Sequence, residues 1–291
     1  DGFVPAESQF DEIEFYVPSY MGGLKTIEII PRMKNLKVVH YNQAGYEDIL
    51  PHIPQGVILC NGTGVHDVST SELAVGLTIA SRRGFAEFMD NQKQGVWERT
   101  RKPALADSHV GIVGYGHIGR TVSRIAQSLG MHVSAYDPFV TSGDEGVQML
   151  DLPELLAKSD FVVCLAVANS ATENLFNTAT FAKMKQGAFF INPSRGNLVD
   201  EEALLESLDS GHLAGAALDV GRAPDQMPSP MLAKHPLVIA TPHIGGLTPQ
   251  AIEHQAIETV AQTEQILRGL APVGSVNASF AKRLSRLSLS A

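Results

Sequence analysis

The stretch His109-Val110-Gly111-Ile112-Val113-Gly114-Tyr115-Gly116-His117-Ile118-Gly119 decides the fold. A short apolar run with β-branched residues reads as a buried strand, and a Gly-x-Gly-x-x-Gly turn follows it directly. Helical periodicity begins at Arg120, so the unit is strand, glycine turn, helix. Each glycine then has its own task. Gly114 permits the tight turn, Gly116 lets the backbone approach a pyrophosphate, and Gly119 lets helix and strand pack closely. The helix start at His117 and Ile118 offers free amides and a positive dipole end to phosphates. Asp137 ends the next strand candidate, 18 residues after Gly119. An acid there accepts the adenosine ribose hydroxyls and repels a 2′-phosphate, and Pro138, not Arg, follows it. This combination predicts NAD over NADP.

Outward from that unit, apolar runs alternate with helix-like segments, the pattern of an α/β protein with a parallel sheet. Strand candidates of a regular series lie at 110–113, 132–136, 161–167, 188–191, 214–218 and 238–240. Helices are expected at 120–129, 151–158, 178–184 and 200–210, the last opened by Asp200 as cap and two acids in the first turn. Three earlier strand candidates occupy 13–17, 36–41 and 57–59. Between the two series, residues 70–83 read as a buried helix with Ser69, Thr70 or Ser71 as its N-cap. Residues 251–269 form a further helix, and the tail 280–291 reads as a terminal helix.

In an open α/β sheet, ligands bind beyond the carboxyl ends of the strands. After the strands of the second series come, in turn, the glycine loop, Asp137, Ala168-Asn169-Ser170, Asn192-Pro193-Ser194-Arg195-Gly196, Asp219 and Thr241-Pro242-His243. Packing alone gives no reason to set Arg, Asp and His along one edge. Reduction of a 2-oxo acid needs a cation to hold the carboxylate and polarise the carbonyl, a role suited to the planar fork of Arg195. It also needs an acid that titrates near neutrality, which suits His243. Gly245 and Gly246 follow His243, where backbone can approach a ligand. Cys164 sits within an apolar strand and is expected to be inert.

Composition sets the outer limits. At ~150 residues per domain, 291 residues suggest two domains. The chain is 44% hydrophobic and 18% charged, which excludes a mainly disordered protein. Lys and Arg number 22 against 31 Asp and Glu, a net charge of −9 that argues against nucleic-acid or anionic-membrane partners. Cys60 and Cys164 are too few and too far apart for a disulfide framework, which favours a reducing compartment such as the cytoplasm. No metal-binding spacing, membrane span or signal peptide is visible.

With Ala135-Tyr136-Asp137-Pro138-Phe139, Met184-Lys185-Gln186-Gly187-Ala188, Asn192-Pro193-Ser194-Arg195-Gly196-Asn197-Leu198-Val199-Asp200-Glu201-Glu202-Ala203-Leu204, Ala216-Ala217-Leu218-Asp219-Val220 and Thr241-Pro242-His243-Ile244-Gly245-Gly246, the chain strongly resembles the D-isomer-specific 2-hydroxyacid dehydrogenases. The resemblance implies a doubly wound Rossmann cofactor domain at 74–249. It also implies a smaller flavodoxin-like substrate domain built from 1–73 and 250–291. It implies that Arg195 binds the substrate carboxylate and carbonyl, that His243 is the acid/base, and that Asp219 faces the nicotinamide carboxamide. Ala168, Asn169 and Gly245 fall among the implied cofactor contacts. Gly45, in Gln43-Ala44-Gly45-Tyr46, resembles a family loop that approaches the substrate, as the Asn61-Gly62-Thr63-Gly64 turn does; ordinary glycine turns are the alternative. The region 70–83, with Trp97 nearby, resembles the family's dimer-forming segment and implies a homodimer.

Two features depart from the family pattern. Family members carry a catalytic Glu shortly after the Asp219 motif, but Pro224 stands at that place and Asp225 follows one residue later. Asp225 is therefore expected to pair with His243. The N-terminal segment also reads as several tens of residues short, as if the opening strand and helix were absent. The expected activity is NAD-dependent reduction of a small anionic 2-oxo acid such as glyoxylate, hydroxypyruvate or pyruvate, with phosphoglycerate open. A formate dehydrogenase and a non-catalytic NAD-sensing corepressor are the competing readings.

Overall fold

In the computed structural model, which describes residues 4–223 and 225–277, the chain divides after His66 and again after Leu247. The first unit combines the chain up to His66 with the return from Thr248. Its strands are short: β1 (Phe15–Tyr16), β2 (Val38–Tyr41) and β3 (Ile58–Asn61), with the one-turn helix α1 (Leu24–Ile27) after β1. They pair in parallel in the order β1-β2-β3. Every residue of β2 and β3 is buried, as expected of a parallel sheet covered on both faces. One core cluster gathers Tyr16, Ile30, Val39, Ile49 and Leu59.

The second unit opens with two helices, α2 (Asp67–Arg83) and α3 (Phe85–Lys93). It continues through β4 (His109–Val113), α4 (His117–Ser128), β5 (His132–Tyr136), β6 (Val147–Met149), α5 (Leu152–Lys158) and β7 (Phe161–Cys164). The short helix α6 (Thr178–Phe181), β8 (Phe189–Asn192), α7 (Glu201–Asp209), β9 (Gly215–Leu218), the one-turn α8 (Pro230–Ala233) and β10 (Val238–Ala240) complete it. The long helix α9 (Pro249–Leu267) then returns to the first unit, packing Ile266 with Val38, Ile58 and Cys60.

The seven strands of the second unit are all parallel, in the order β10-β9-β8-β7-β4-β5-β6. The chain winds outward from β4 to β6, then crosses back to lay β7 on the other side of β4. That reversal is the topological switch of a doubly wound sheet, and it puts every strand's carboxyl end on one edge. One core cluster is built around the tilted and edge-to-face rings of Phe176, Phe181 and Phe190 with Leu155 and Leu204. Another joins Ile112, Val133 and Phe161 to Leu77 and Val122. Local signals start the helices: Asp151 accepts the Glu154 amide at 2.8 Å, and Asp200 accepts those of Glu202 and Ala203.

Four sequence expectations change. β6 was not anticipated, because it is an edge strand of three residues with a polar, exposed Gln148 at its centre. The strand expected over 161–167 stops at Cys164, where the chain turns against Gly114. Helix α2 begins at Asp67, so Ser69, Thr70 and Ser71 lie inside it instead of capping it; Ser71 donates to the carbonyl of Asp67 one turn back. A division at 73/74 would cut that helix, which is why the units part at 66/67. The terminal helix expected over 280–291 and the position of Pro224 lie outside the described residues.

Candidate functional site

The glycine turn between β4 and α4 has three distinct environments. Gly114 has φ +102°, and a Cβ there would lie 2.5 Å from the carbonyl of Leu165 at the end of β7. At Gly119 a Cβ would lie 2.4 Å from the Gly114 oxygen, so helix and turn pack without room for a side chain. At Gly116 a Cβ would meet nothing within 4 Å. The backbone there faces open space at the N-terminus of a twelve-residue helix, whose first amides lack intrahelical partners. These residues fit a dinucleotide pyrophosphate. Asp137, at the tip of β5, accepts the Tyr115 amide at 2.9 Å and the Phe139 amide at 2.8 Å. Each carboxylate oxygen keeps a further lone pair, enough for two ribose hydroxyls. His117, the first residue of α4, lies 3.4 Å from the Asp67 carboxylate at the start of α2.

Arg195 is positioned by the end of β8. The side chain of Asn192, 1% exposed, donates to the Arg195 carbonyl at 2.9 Å and accepts the Ser194 amide at 3.1 Å. The Ser194 hydroxyl reaches across to the Ala166 carbonyl after β7 at 2.8 Å. The next residue, Gly196, touches the loop after β9. A Cβ at Gly196 would sit 2.0 Å from the Gly221 oxygen, and one at Gly221 would sit 2.2 Å from the Pro228 nitrogen. Three backbones therefore meet where glycine alone fits, and the Arg195 loop is clamped between its neighbours.

Asp219, fully buried at the end of β9, organises the loop that carries His243. Its Oδ1 accepts the Thr241 hydroxyl at 2.6 Å and the Ile244 amide at 2.9 Å, while Oδ2 accepts the Gly245 amide at 2.9 Å. Its carbonyl accepts the His243 amide, also at 2.9 Å. His243 itself has φ +53°, a left-handed conformation uncommon outside glycine and sustained here by the bonds on either side. The Thr70 hydroxyl of α2 adds a bond to the Gly245 carbonyl at 3.3 Å. In the structure the Asp219 carboxylate holds the protein's own loop, a supporting role the sequence did not assign to it, to Asn192 or to Thr241. Asn192 stood at a strand end in the sequence, which was the available signal.

The other expected residues separate. Ala168 is buried after β7, and the Asn169 side chain closes its own turn by accepting the Ala171 amide at 2.9 Å. Burial pushes the Cys164 thiol up to about 12, so it stays protonated at neutral pH. Gly45 belongs to the smaller unit, after β2. Its loop is tied to the turn after β3, where the Asn61 side chain donates to the Ala44 carbonyl at 2.7 Å and the Gly62 amide donates to Gln43.

Asp225 requires a correction, because among the described residues its side chain bonds its own loop and not His243. Its side chain is exposed and accepts the Met227 amide at 3.1 Å. The reason lies at the base of the loop. The Glu201 carboxylate takes the amides of both Arg222 and Ser229, and the Arg222 guanidinium bonds Asn174, Val199 and Glu173. That anchoring holds the loop at the start of α7, and Asp225 closes a turn within it.

Comparison with known proteins follows the same outline. The model of the family described as "D-isomer specific 2-hydroxyacid dehydrogenase, NAD binding domain" matches residues 75–245. A hydroxypyruvate reductase of Thermotoga maritima is 34% identical over 243 residues, 81% of this chain and 79% of that protein. A D-3-phosphoglycerate dehydrogenase of Bacillus subtilis is 34% identical over 259 residues, 87% of this chain but 49% of that protein. The chain thus spans about half the length of the phosphoglycerate dehydrogenases it matches. Among solved structures, a glyoxylate reductase from Paecilomyes thermophila is similar with a TM-score of 0.86 at 26% identity, over 92% of this chain and 85% of that one. Among the described residues, no helix is long and apolar enough to cross a membrane.

Proposed function

The chain belongs to the D-isomer specific 2-hydroxyacid dehydrogenase family, and on that premise we propose that it is an NAD-dependent oxidoreductase of a small D-2-hydroxy acid and its 2-oxo partner. The observation that carries this reading is a convergence at one sheet edge. The open backbone at Gly116, the clamped Arg195 loop and the Asp219-organised His243 loop all lie beyond the carboxyl ends of neighbouring parallel strands. When bound, NAD(H) supplies the hydride exchanged with the substrate's C2. The first amides of α4 and Gly116 hold the pyrophosphate, and Asp137 holds the adenosine ribose. Arg195 binds the substrate carboxylate through its planar fork and draws electron density from the carbonyl oxygen. His243 gives that oxygen its proton in reduction and takes it back in oxidation. Asp137 also underlies a preference for NAD, since a carboxylate repels a 2′-phosphate at the same position.

The substrate is a short 2-oxo acid of the glyoxylate, hydroxypyruvate or pyruvate kind. Oxidation of NADH and of NADPH across these acids and 3-phosphohydroxypyruvate tests the proposal. Turnover with NADH is the expected result. Binding of NADH without turnover of any acid would favour a sensing protein, and comparable efficiency with NADPH would remove the NAD preference.

The same reading includes a homodimer and a cytoplasmic location. Helix α3 buries none of its residues, leaving Phe85 and Met89 exposed, with Trp97 88% exposed just beyond. An apolar set of this kind fits an isologous contact with a second copy. Light scattering should report twice the chain mass, and a stable monomer would end the claim. The two buried, free cysteines agree with a reducing compartment.

A further inference from the structure

Arg120 follows Gly119 in the first turn of α4 and lies against the residue that braces Asp137. Its guanidinium sits 4.7 Å from the centre of the Tyr115 ring. The amide of the same tyrosine donates to Asp137 at 2.9 Å. Tyr115 is fully buried, so one fixed residue holds the Asp137 carboxylate by its backbone amide and carries the Arg120 guanidinium over its ring. Beside that carboxylate, a free guanidinium would be well suited to a 2′-phosphate, because its fork matches phosphate oxygens in pairs. Arg120 is not free. It forms an ion pair with Asp144, in the connection from β5 to β6.

Asp144 is itself held in place. Its amide lies 3.4 Å from the Tyr115 hydroxyl, and its carbonyl accepts the Val147 amide at 3.0 Å. The neighbouring Glu145 carbonyl accepts the Gln127 side chain of α4 at 2.9 Å. A Cβ at Gly143 would lie 2.6 Å from the Val147 oxygen, so the connection has little room to shift. We infer that Asp144 is a specificity-determining residue that ties Arg120 away from the cofactor's ribose 2′ position. Selection against a 2′-phosphate then has two layers: Asp137 repels it, and Asp144 withholds the cation that would receive it. The inference rests on the dinucleotide reading proposed above.

Dissociation constants for NADH and NADPH, from fluorescence titration, test it without reference to turnover. The set compares the wild-type protein with Asp137→Ser, Asp137→Ser/Asp144→Asn and the same double variant carrying Arg120→Ala. Asp137→Ser removes the repulsion. Adding Asp144→Asn should shift the NADPH-to-NADH affinity ratio toward NADPH by a further factor of about five, the scale of a solvent-exposed ion pair. Arg120→Ala should abolish that further gain, and added salt should shrink it. Asp144→Ala replaces Asp144→Asn where thermal unfolding shows the latter to be unstable. An unchanged ratio on loss of Asp144, or a gain that survives Arg120→Ala, would overturn the inference. Failure of the wild-type protein to bind either dinucleotide would instead overturn the dinucleotide reading itself.

Discussion

Buried polar side chains serve different ends in the two units. In the larger unit most are hydroxyls, and several bond within their own helical turn, as Thr78 does to Ala74, Ser123 to Arg120 and Ser159 to Leu155. Among the described residues its buried polar side chains other than hydroxyls, Asn192 and Asp219, stand at the strand ends where the candidate site lies. In the smaller unit several polar side chains, buried or at the rim, reach across the chain. Thr259 of α9 donates to the Asn42 side chain at 3.3 Å, and Gln262 bonds both the amide and the carbonyl of Val273. Asn277 bonds the Leu59 amide and the Val57 carbonyl of the β3 segment. A unit assembled from distant segments needs its pieces held in register. Apolar contact is non-directional, so hydrogen bonds carry that specification. The larger unit places directional bonds where chemistry is proposed; the smaller one places them where the chain comes back together.

The sharpest test of this contrast is at the candidate site. His243→Gln should lower kcat by about 10²- to 10⁴-fold, the usual range for loss of a general acid, with little change in thermal unfolding. Asp225→Asn, in the neighbouring loop, should leave both the rate and its pH profile as they are. Next in size, Gly196→Ala should destabilise the protein by about 1–3 kcal/mol through overpacking, read as a lower Tm, and should weaken substrate saturation because the Arg195 loop must move. In the smaller unit, Gln262→Leu should cost about 1 kcal/mol for lost directional bonds in denaturant unfolding. Its effect on the affinity for NADH should be small. A larger effect on cofactor binding than on stability would break the contrast.

The smallest expected effect is a pH dependence centred on His40 in β2. Burial lowers its pKa below the ordinary 6.5, with Asn42 and Glu258 offsetting this in part. Among the described residues, neither ring nitrogen makes a hydrogen bond of ordinary length. Unfolded chains protonate this histidine near 6.5, whereas the folded protein resists until lower pH. The stability is therefore fully present above about pH 6.5 and is lost as pH falls from there through the lower folded pKa. His40→Phe should flatten that part of the pH–Tm curve, and an unchanged slope would remove His40 as its source.

Legibility in the sequence followed the distance over which each decision is made. The Gly114 to Asp137 fingerprint lies within one strand-turn-helix-strand unit, so spacing alone located it. Alternating apolar runs likewise indicated a parallel α/β sheet, although β6 escaped because an edge strand of three residues carries almost no periodic signal. The start of α2 was misplaced because three hydroxyl residues offered plausible caps inside the helix. Asp225 misled because it stands one residue past the place of the family's Glu, whereas Glu201 and Arg222 anchor its loop through contacts with residues 173, 174 and 199 and the start of α7.

What the sequence by itself determined is therefore the strand, glycine turn and helix at 109–128 and the order of the strands' polar ends, with Arg195 and His243 among them. Each follows from local spacing and from the rule that parallel strands present one common edge. What only the tertiary structure decided is how that edge is held. Gly196 and Gly221 admit each other's backbones, Asp219 turns inward to secure the His243 loop, and Asp144 engages Arg120. These contacts join loops from different strands, and their geometry exists only once the sheet has brought those loops side by side.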